Sequence, residues 1–391
     1  MSDVEVLYAD FPEEEYVTRW KKAQDMMAKD NIDALFITEE HNYVYFTGHR
    51  SMQNKIDTIR EYAFILPRNG APVVVTMPFE VGHVLQATWV KDVREYREMY
   101  KHNDLFVQTI EDMGLGDGVI GAELGREQYL QISYNDFNDL RNRLPKAKFV
   151  DAAQMLLDLR AVKSPAEVEM CRKASVIGAK AIEHLFEVAK EGMTGHELAK
   201  IVRMSMAQEG ADSSVVFVMA GFDFTGRMGM GVTCPTDRRL RRHDTVCIDV
   251  QAEYKGYCCD IARTFAVGEA LREQKDMYRF TYSLTRRCID QVRPSIRAED
   301  IKRFCNSELE KLGKTTAGVG RIGHGVGVLP TEYPSFMLGE KTVLQAGMVF
   351  ALNPNFTTPF GLFNAEDNLV VTRSGYEILS KPECDPELIV I

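Results

Sequence analysis

Thr245-Val246-Cys247-Ile248-Asp249-Val250-Gln251-Ala252-Glu253-Tyr254-Lys255-Gly256-Tyr257-Cys258-Cys259-Asp260-Ile261-Ala262-Arg263-Thr264-Phe265 sets two β-rich runs on either side of Lys255-Gly256, the pattern of a β-hairpin. A turn centred on Tyr254 and Lys255 places Asp249 directly across from Asp260, with Cβ atoms about 5 Å apart. Two carboxylates that close share a proton or hold a cation. Their neighbours Cys247, Ile248 and Ile261 are apolar, so desolvation aggravates the repulsion unless a metal relieves it. On spacing alone, a metal pair competes with an arrangement in which one Asp simply faces solvent.

Three later segments bear on that choice. In Gly323-His324-Gly325-Val326-Gly327-Val328-Leu329-Pro330-Thr331-Glu332-Tyr333-Pro334 a histidine stands between glycines, where backbone approaches closely and a ligand or substrate contact fits. A lone histidine is more often structural. Gly347-Met348-Val349-Phe350-Ala351-Leu352-Asn353-Pro354 is an apolar strand ending in Asn-Pro, and Asn364-Ala365-Glu366-Asp367-Asn368-Leu369-Val370-Val371-Thr372 carries a carboxylate just ahead of another apolar run.

The chain of 391 residues is long enough for two domains. Its first ~150 residues alternate helical and strand patterns, an α/β arrangement. A helix is expected over Glu13 to Lys29, with strands at Ala34–Thr38, Tyr62–Leu66, Val73–Thr76, Val119–Glu123 and Phe149–Asp151. Gly116, Gly118 and Gly121 have the spacing of a phosphate-binding loop, but they lead into a strand rather than follow one, so Gly114–Gly118 reads as a turn. The boundary falls between residues 158 and 159. Beyond it, Ser164-Pro165-Ala166-Glu167 and Thr194-Gly195-His196-Glu197 are capping boxes that open two helices. A second helix pair, Gln274 to Val292 and Ala298 to Leu312, precedes more strand-rich sequence. The second domain, 159–391, therefore reads as a duplicated helix–helix–sheet unit.

Bulk composition mainly excludes. Lys plus Arg number 47 against 57 for Asp plus Glu, a net charge of −10, which argues against nucleic acid or an anionic membrane as partner. No apolar run approaches the ~18 residues of a membrane span. The acidic start, Met1-Ser2-Asp3-Val4-Glu5, lacks a secretory apolar core. The 8 cysteines then read as reduced thiols of a cytoplasmic protein.

In order and spacing, the four segments resemble the pita-bread superfamily of methionine aminopeptidase, aminopeptidase P, prolidase and creatinase, and the first ~150 residues resemble the creatinase-type N-terminal domain. The resemblance implies a fold of an α/β N-terminal domain and an α+β pita-bread domain with pseudo-two-fold repeats. In the metallopeptidases of this superfamily two divalent ions are held by Asp, Asp, His, Glu and Glu. Carried over, Asp249, Asp260, His324 and Glu366 take four of these places, while the family's Glu-Pro is Asn353-Pro354. That change removes one charge and one bridging ligand; Asn353 offers only a neutral oxygen. The resemblance thus implies one divalent metal (manganese, iron, cobalt or zinc) rather than a tight pair. The peptidases also carry a histidine about 17 residues before the first Asp, where this chain has Val232, and a His-Glu pair where it has Thr331-Glu332. These losses argue against ordinary Xaa-Pro peptidase chemistry.

Two other relatives bear on substrate. Creatinase relies on the upstream histidine and the Glu before Pro, so a guanidinium substrate is unsupported. A dimethylsulfoniopropionate lyase of the same fold offers elimination as an option. An Arg ahead of the Tyr-Ala-apolar strand of creatinase reaches into the partner subunit; Ile59-Arg60-Glu61-Tyr62-Ala63-Phe64 resembles that segment. The expectation is a hydrolase or lyase acting on a small carboxylate-bearing, amino-acid-like molecule. Glu332 and His324 would be catalytic, and Arg60, Arg227 and Thr331 would contact substrate. It would work as a homodimer with Arg60 contributed across the interface. The alternatives are an Xaa-Pro dipeptidase or aminopeptidase with a rebuilt site, and a non-catalytic peptide- or protein-binding module.

Overall fold

Ala34-Leu35-Phe36-Ile37 and Ala63-Phe64-Ile65-Leu66 are apolar at every position, which suits strands covered on both faces. A computed structural model of the chain, describing residues 4–51, 60–221, 235–316 and 320–391, shows that cover. The fold comprises two compact units, Met1–Arg160 and Ala161–Ile391.

In the first unit, strands β1 (Ala34–Ile37), β2 (Ala63–Pro67), β3 (Val73–Thr76), β4 (Asp92–Glu95), β5 (Val119–Ala122) and β6 (Lys148–Asp151) form one mixed sheet ordered β4-β3-β2-β1-β5-β6. The helices are α1 (Glu13–Asp30), α2 (Glu40–Thr47), α3 (Pro78–Ala87), α4 (His102–Asp112), α5 (Tyr134–Arg143) and α6 (Ala153–Ala161). Side-chain alternation splits the core in two. Leu35, Ile37, Phe64 and Val74 pack with Ala23 and Met27 of α1 and Leu156 of α6 on one face. Phe36, Ile65 and Val75 pack with Phe106 and Ile110 of α4 and Leu140 of α5 on the other. The Gly114–Gly118 segment is a turn into β5, as its spacing suggests.

The second unit repeats one plan. Helices α7 (Pro165–Val188) and α8 (Gly195–Gln208) lead to β7 (Ser213–Ala220), β8 (Thr245–Tyr254), β9 (Tyr257–Cys258) and β10 (Ile261–Ala266). Helices α9 (Arg272–Ile289) and α10 (Ala298–Glu310) lead to β11 (Gly323–Gly325), β12 (Glu332–Ser335), β13 (Val349–Leu352), β14 (Phe356–Thr358), β15 (Gly361–Phe363), β16 (Asp367–Val371) and β17 (Tyr376–Ile378). With β18 (Ile389–Val390), the two main sheets run β18-β10-β8-β7 and β12-β11-β13-β16-β17. Both capping boxes form: Glu167 N–H donates to Ser164 Oγ at 3.2 Å and Glu197 N–H to Thr194 Oγ1 at 3.1 Å, with each Glu carboxylate returning the bond. Among the described residues, cysteines 171, 247, 258, 259, 288, 305 and 384 are all free and buried. No described helix is long and apolar enough to cross a membrane.

The two sheets meet through an isolated bridge between Ala262 of β10 and Glu366, where Glu366 N–H donates to Ala262 O at 3.0 Å. That seam is where the acidic side chains converge.

Candidate metal centre

The hairpin turns on Lys255 and Gly256, whose φ angles of 50° and 77° are both positive. This is the two-residue geometry that matches strand twist, and Gly256 supplies the second left-handed position at no steric cost. The turn therefore sits one residue later than the sequence suggests. Tyr254 pairs with Tyr257, and Asp249 lies across from Ala262 rather than Asp260. A two-residue change of register preserves the face of every side chain. Asp249 and Asp260 are diagonal neighbours on one face, near enough to share a hydrogen bond.

Asp260 occupies the break between β9 and β10, where the ladder gives it no backbone partner. The Asn368 side chain supplies both: its Oδ1 accepts the Asp260 N–H at 3.0 Å, and its Nδ2 donates to the Asp260 carbonyl at 2.8 Å. Gln251 Nε2 reaches Asp260 Oδ1 at 3.4 Å. His324 enters from β11, where its flanking glycines let the strands close up. A Cβ on Gly323 would lie 2.4 Å from the Ala351 carbonyl oxygen, and one on Gly325 the same distance from that of Tyr333. His324 Nδ1 faces the Gly325 carbonyl at 3.0 Å, which leaves Nε2 turned to Asp260 Oδ2 at 3.4 Å. Glu366, fully buried, takes a bond from Asn364 Nδ2 at 3.1 Å and another from the Asn353 side chain.

Ligand atoms of Asp260, His324 and Glu366 lie within 4.8 Å of one another. Asp249 Oδ1 and Glu366 Oε1 are sealed from solvent and have no hydrogen-bond partner among the described residues. Burial raises Asp249 to about 6. Burial with the charges of Asp249 and Glu366 drives Asp260 well above the carboxylate range, and burial with Asp249 does the same to Glu366. Arg263, whose charge favours ionised Glu366, is already engaged: its Nη2 donates to Asp367 Oδ1 at 2.6 Å and its Nη1 to the Glu366 carbonyl. Burial and the charge of Arg321 push His324 down to about 4, so its imidazole is neutral. Unpartnered acid oxygens beside a neutral imidazole nitrogen fit a divalent cation.

Not every sequence expectation gathers here. Glu332, expected as general acid or base, forms a buried ion pair with Lys163 Nζ at 3.1 Å and accepts the Leu329 N–H at 3.2 Å. The Glu332 carboxylate thus has a cation beside it, a partner that its sequence neighbours do not announce. Thr331 is exposed at the end of a turn. Arg60 lies in the first unit, half-buried, with its guanidinium 5.4 Å from the Phe79 ring centre. Arg227 and Val232 lie outside the described residues. Sequence reasoning missed Lys163, whose only signal is a contact 169 residues away, and Asn368, which stood unweighed beside Glu366.

The sequence pattern of Metallopeptidase family M24 matches residues 169–373, over half of the chain, and that of the Creatinase/Prolidase N-terminal domain matches 19–162. The chain belongs to metallopeptidase family M24. It is 27% identical over 368 residues to an uncharacterized peptidase of Staphylococcus aureus strain bovine RF122, covering 94% of this chain and 100% of that one. A recombinant prolidase from Thermococcus sibiricus superposes with a TM-score of 0.85 at 23% identity, covering 96% of this chain and 99% of that one. The Xaa-Pro dipeptidase from Bacillus anthracis gives 0.84 at 20%, covering 96% and 100%. The architecture of this M24 member is thus the pita-bread fold behind a creatinase-type domain. Family and clustered donors together support metal-dependent hydrolase chemistry.

Proposed function

We propose that this M24 chain hydrolyses a C–N bond in a small, carboxylate-bearing, amino-acid-like molecule, using one divalent ion of manganese, iron, cobalt or zinc. Asp249, Asp260, Glu366 and His324 would hold it. The observation that carries the reading is the pair of sealed, unpartnered oxygens, Asp249 Oδ1 and Glu366 Oε1, on one seam with Asp260 and His324. When bound, such an ion supplies Lewis-acid polarisation of a carbonyl and a lowered pKa for water. The chain supplies orientation: Asn368 fixes Asp260, and the Gly325 carbonyl turns His324 Nε2 inward. Asn353 gives Glu366 a hydrogen bond where a further carboxylate would add charge, so three ionised carboxylates suffice for one ion and attract a second poorly.

Purified full-length chain, stripped and reloaded with each metal, would be assayed against a panel of dipeptides and N-substituted amino acids. Metal-dependent release of a free amino acid, lowered at least about 100-fold by Asp260→Asn, is expected. An unsaturated elimination product, or no bound metal and unchanged turnover in Asp260→Asn, overturns the reading. Xaa-Pro dipeptides head the panel, because the solved neighbours include a prolidase and an Xaa-Pro dipeptidase. In the same reading, Arg60 binds the substrate carboxylate of a partner copy in a homodimer. Loss of such a charge-assisted contact in Arg60→Ala should raise KM about 10–100-fold with kcat little changed. An active monomer would sink that part.

A further inference from the structure

The first unit contains a second convergence of metal-ligating side chains, unconnected with the hairpin aspartates. Glu80 and His83 are three residues apart on α3, which puts them on one helix face. His49 follows Gly48, whose left-handed φ of 76° ends α2 and turns the chain toward them. His49 Nε2 lies 3.1 Å from Glu80 Oε2 and 3.2 Å from His83 Nδ1, and His83 Nδ1 is 4.0 Å from Glu80 Oε2. Donors held about 2.0–2.2 Å from one tetrahedral ion stand roughly 3.3–3.6 Å apart, the middle of that range.

Outer contacts aim two of the three donors inward. The Tyr43 hydroxyl lies 3.1 Å from His49 Nδ1, so the far ring nitrogen is occupied and Nε2 faces the cluster. Ser51 Oγ donates to Glu80 Oε1 at 2.8 Å. That leaves Glu80 Oε2, which is sealed from solvent and has no hydrogen bond of good geometry among the described residues. The His49 side chain is only 2% exposed, so its donor nitrogen is held inside the cluster. A simple His49–Glu80 contact would not bring a second imidazole nitrogen to the same point.

We infer that His49, Glu80 and His83 form a binding site for a divalent transition-metal ion, with a fourth position open on the side of the 48%-exposed His83 side chain. Two imidazoles and one carboxylate select zinc, cobalt or iron over magnesium or calcium.

The test is cobalt(II) and zinc(II) titration of the full-length chain after chelator treatment, followed by elemental analysis. It compares the unsubstituted chain, His83→Ala and Asp260→Asn. His83→Ala should bind one equivalent less than the unsubstituted chain and lose the visible absorption of four-coordinate cobalt. Asp260→Asn should keep that absorption, which separates this site from the one in the second unit. Far-ultraviolet circular dichroism of stripped His83→Ala should match the parent, since that side chain is half exposed. Equal metal uptake by the parent and His83→Ala overturns the inference, as does a cobalt spectrum that Asp260→Asn alone abolishes.

Discussion

Asn353 sits directly after β13, its backbone N–H bonded to the Ile322 carbonyl at 2.9 Å and its side chain bonded to Glu366. A glutamate there would add a charge and a bridging oxygen beside the same carboxyl. Asn353→Glu should therefore add one equivalent to the metal content at saturation, read by elemental analysis after desalting. A content equal to the parent's would show that charge at this position does not set the stoichiometry. The substitution itself was legible from the sequence, because Pro354 marks the place. The hydrogen bond to Glu366 was not, since it depends on how two distant strands approach. The same limit hid the Lys163 partner of Glu332.

Elements defined by local chemistry were read closely. Both capping boxes, the α7 and α8 starts and the paired apolar strands of the first unit follow from residues within four positions of one another. The β8–β10 register was read two residues off, because a hairpin turn depends on which residues accept positive φ and Lys255 does so here at 50°. Its facing survived, because side-chain alternation has period two. The β12 strand carries a prediction of its own. Removing the charge of Lys163 takes the ion-pair cation from the 2%-exposed Glu332 side chain, so Lys163→Met should destabilise by about 3–5 kcal/mol in urea unfolding. Adding Glu332→Gln should recover much of that. If Glu332→Gln alone abolishes turnover and leaves stability unchanged, Glu332 acts as general acid or base.

Across the whole molecule, the acidic seam sets how stability depends on pH. Without metal, folded Asp249 is raised to about 6, and Asp260 and Glu366 stand well above the carboxylate range. In the unfolded chain these carboxyls titrate near 4. The folded state therefore keeps protons that the unfolded state releases, a contribution fully present below pH about 4 and lost as pH rises through 6 and beyond. The thermal midpoint of stripped protein should accordingly fall between pH 5 and pH 8, less steeply in Asp249→Asn. A divalent ion needs ionised carboxylates, so it should raise the midpoint more at pH 8 than at pH 5. Thermal melts of stripped and loaded protein at both pH values would check this, and equal metal effects would count against it. The seam has another side. Asp249 and Asp260 descend from one copy of the duplicated plan, His324 and Glu366 from the other, and between the two sheets runs the Ala262–Glu366 bridge. Neither copy alone owns a complete set of donors, so each is free to drift in its own surroundings only while the other keeps its half of the clasp.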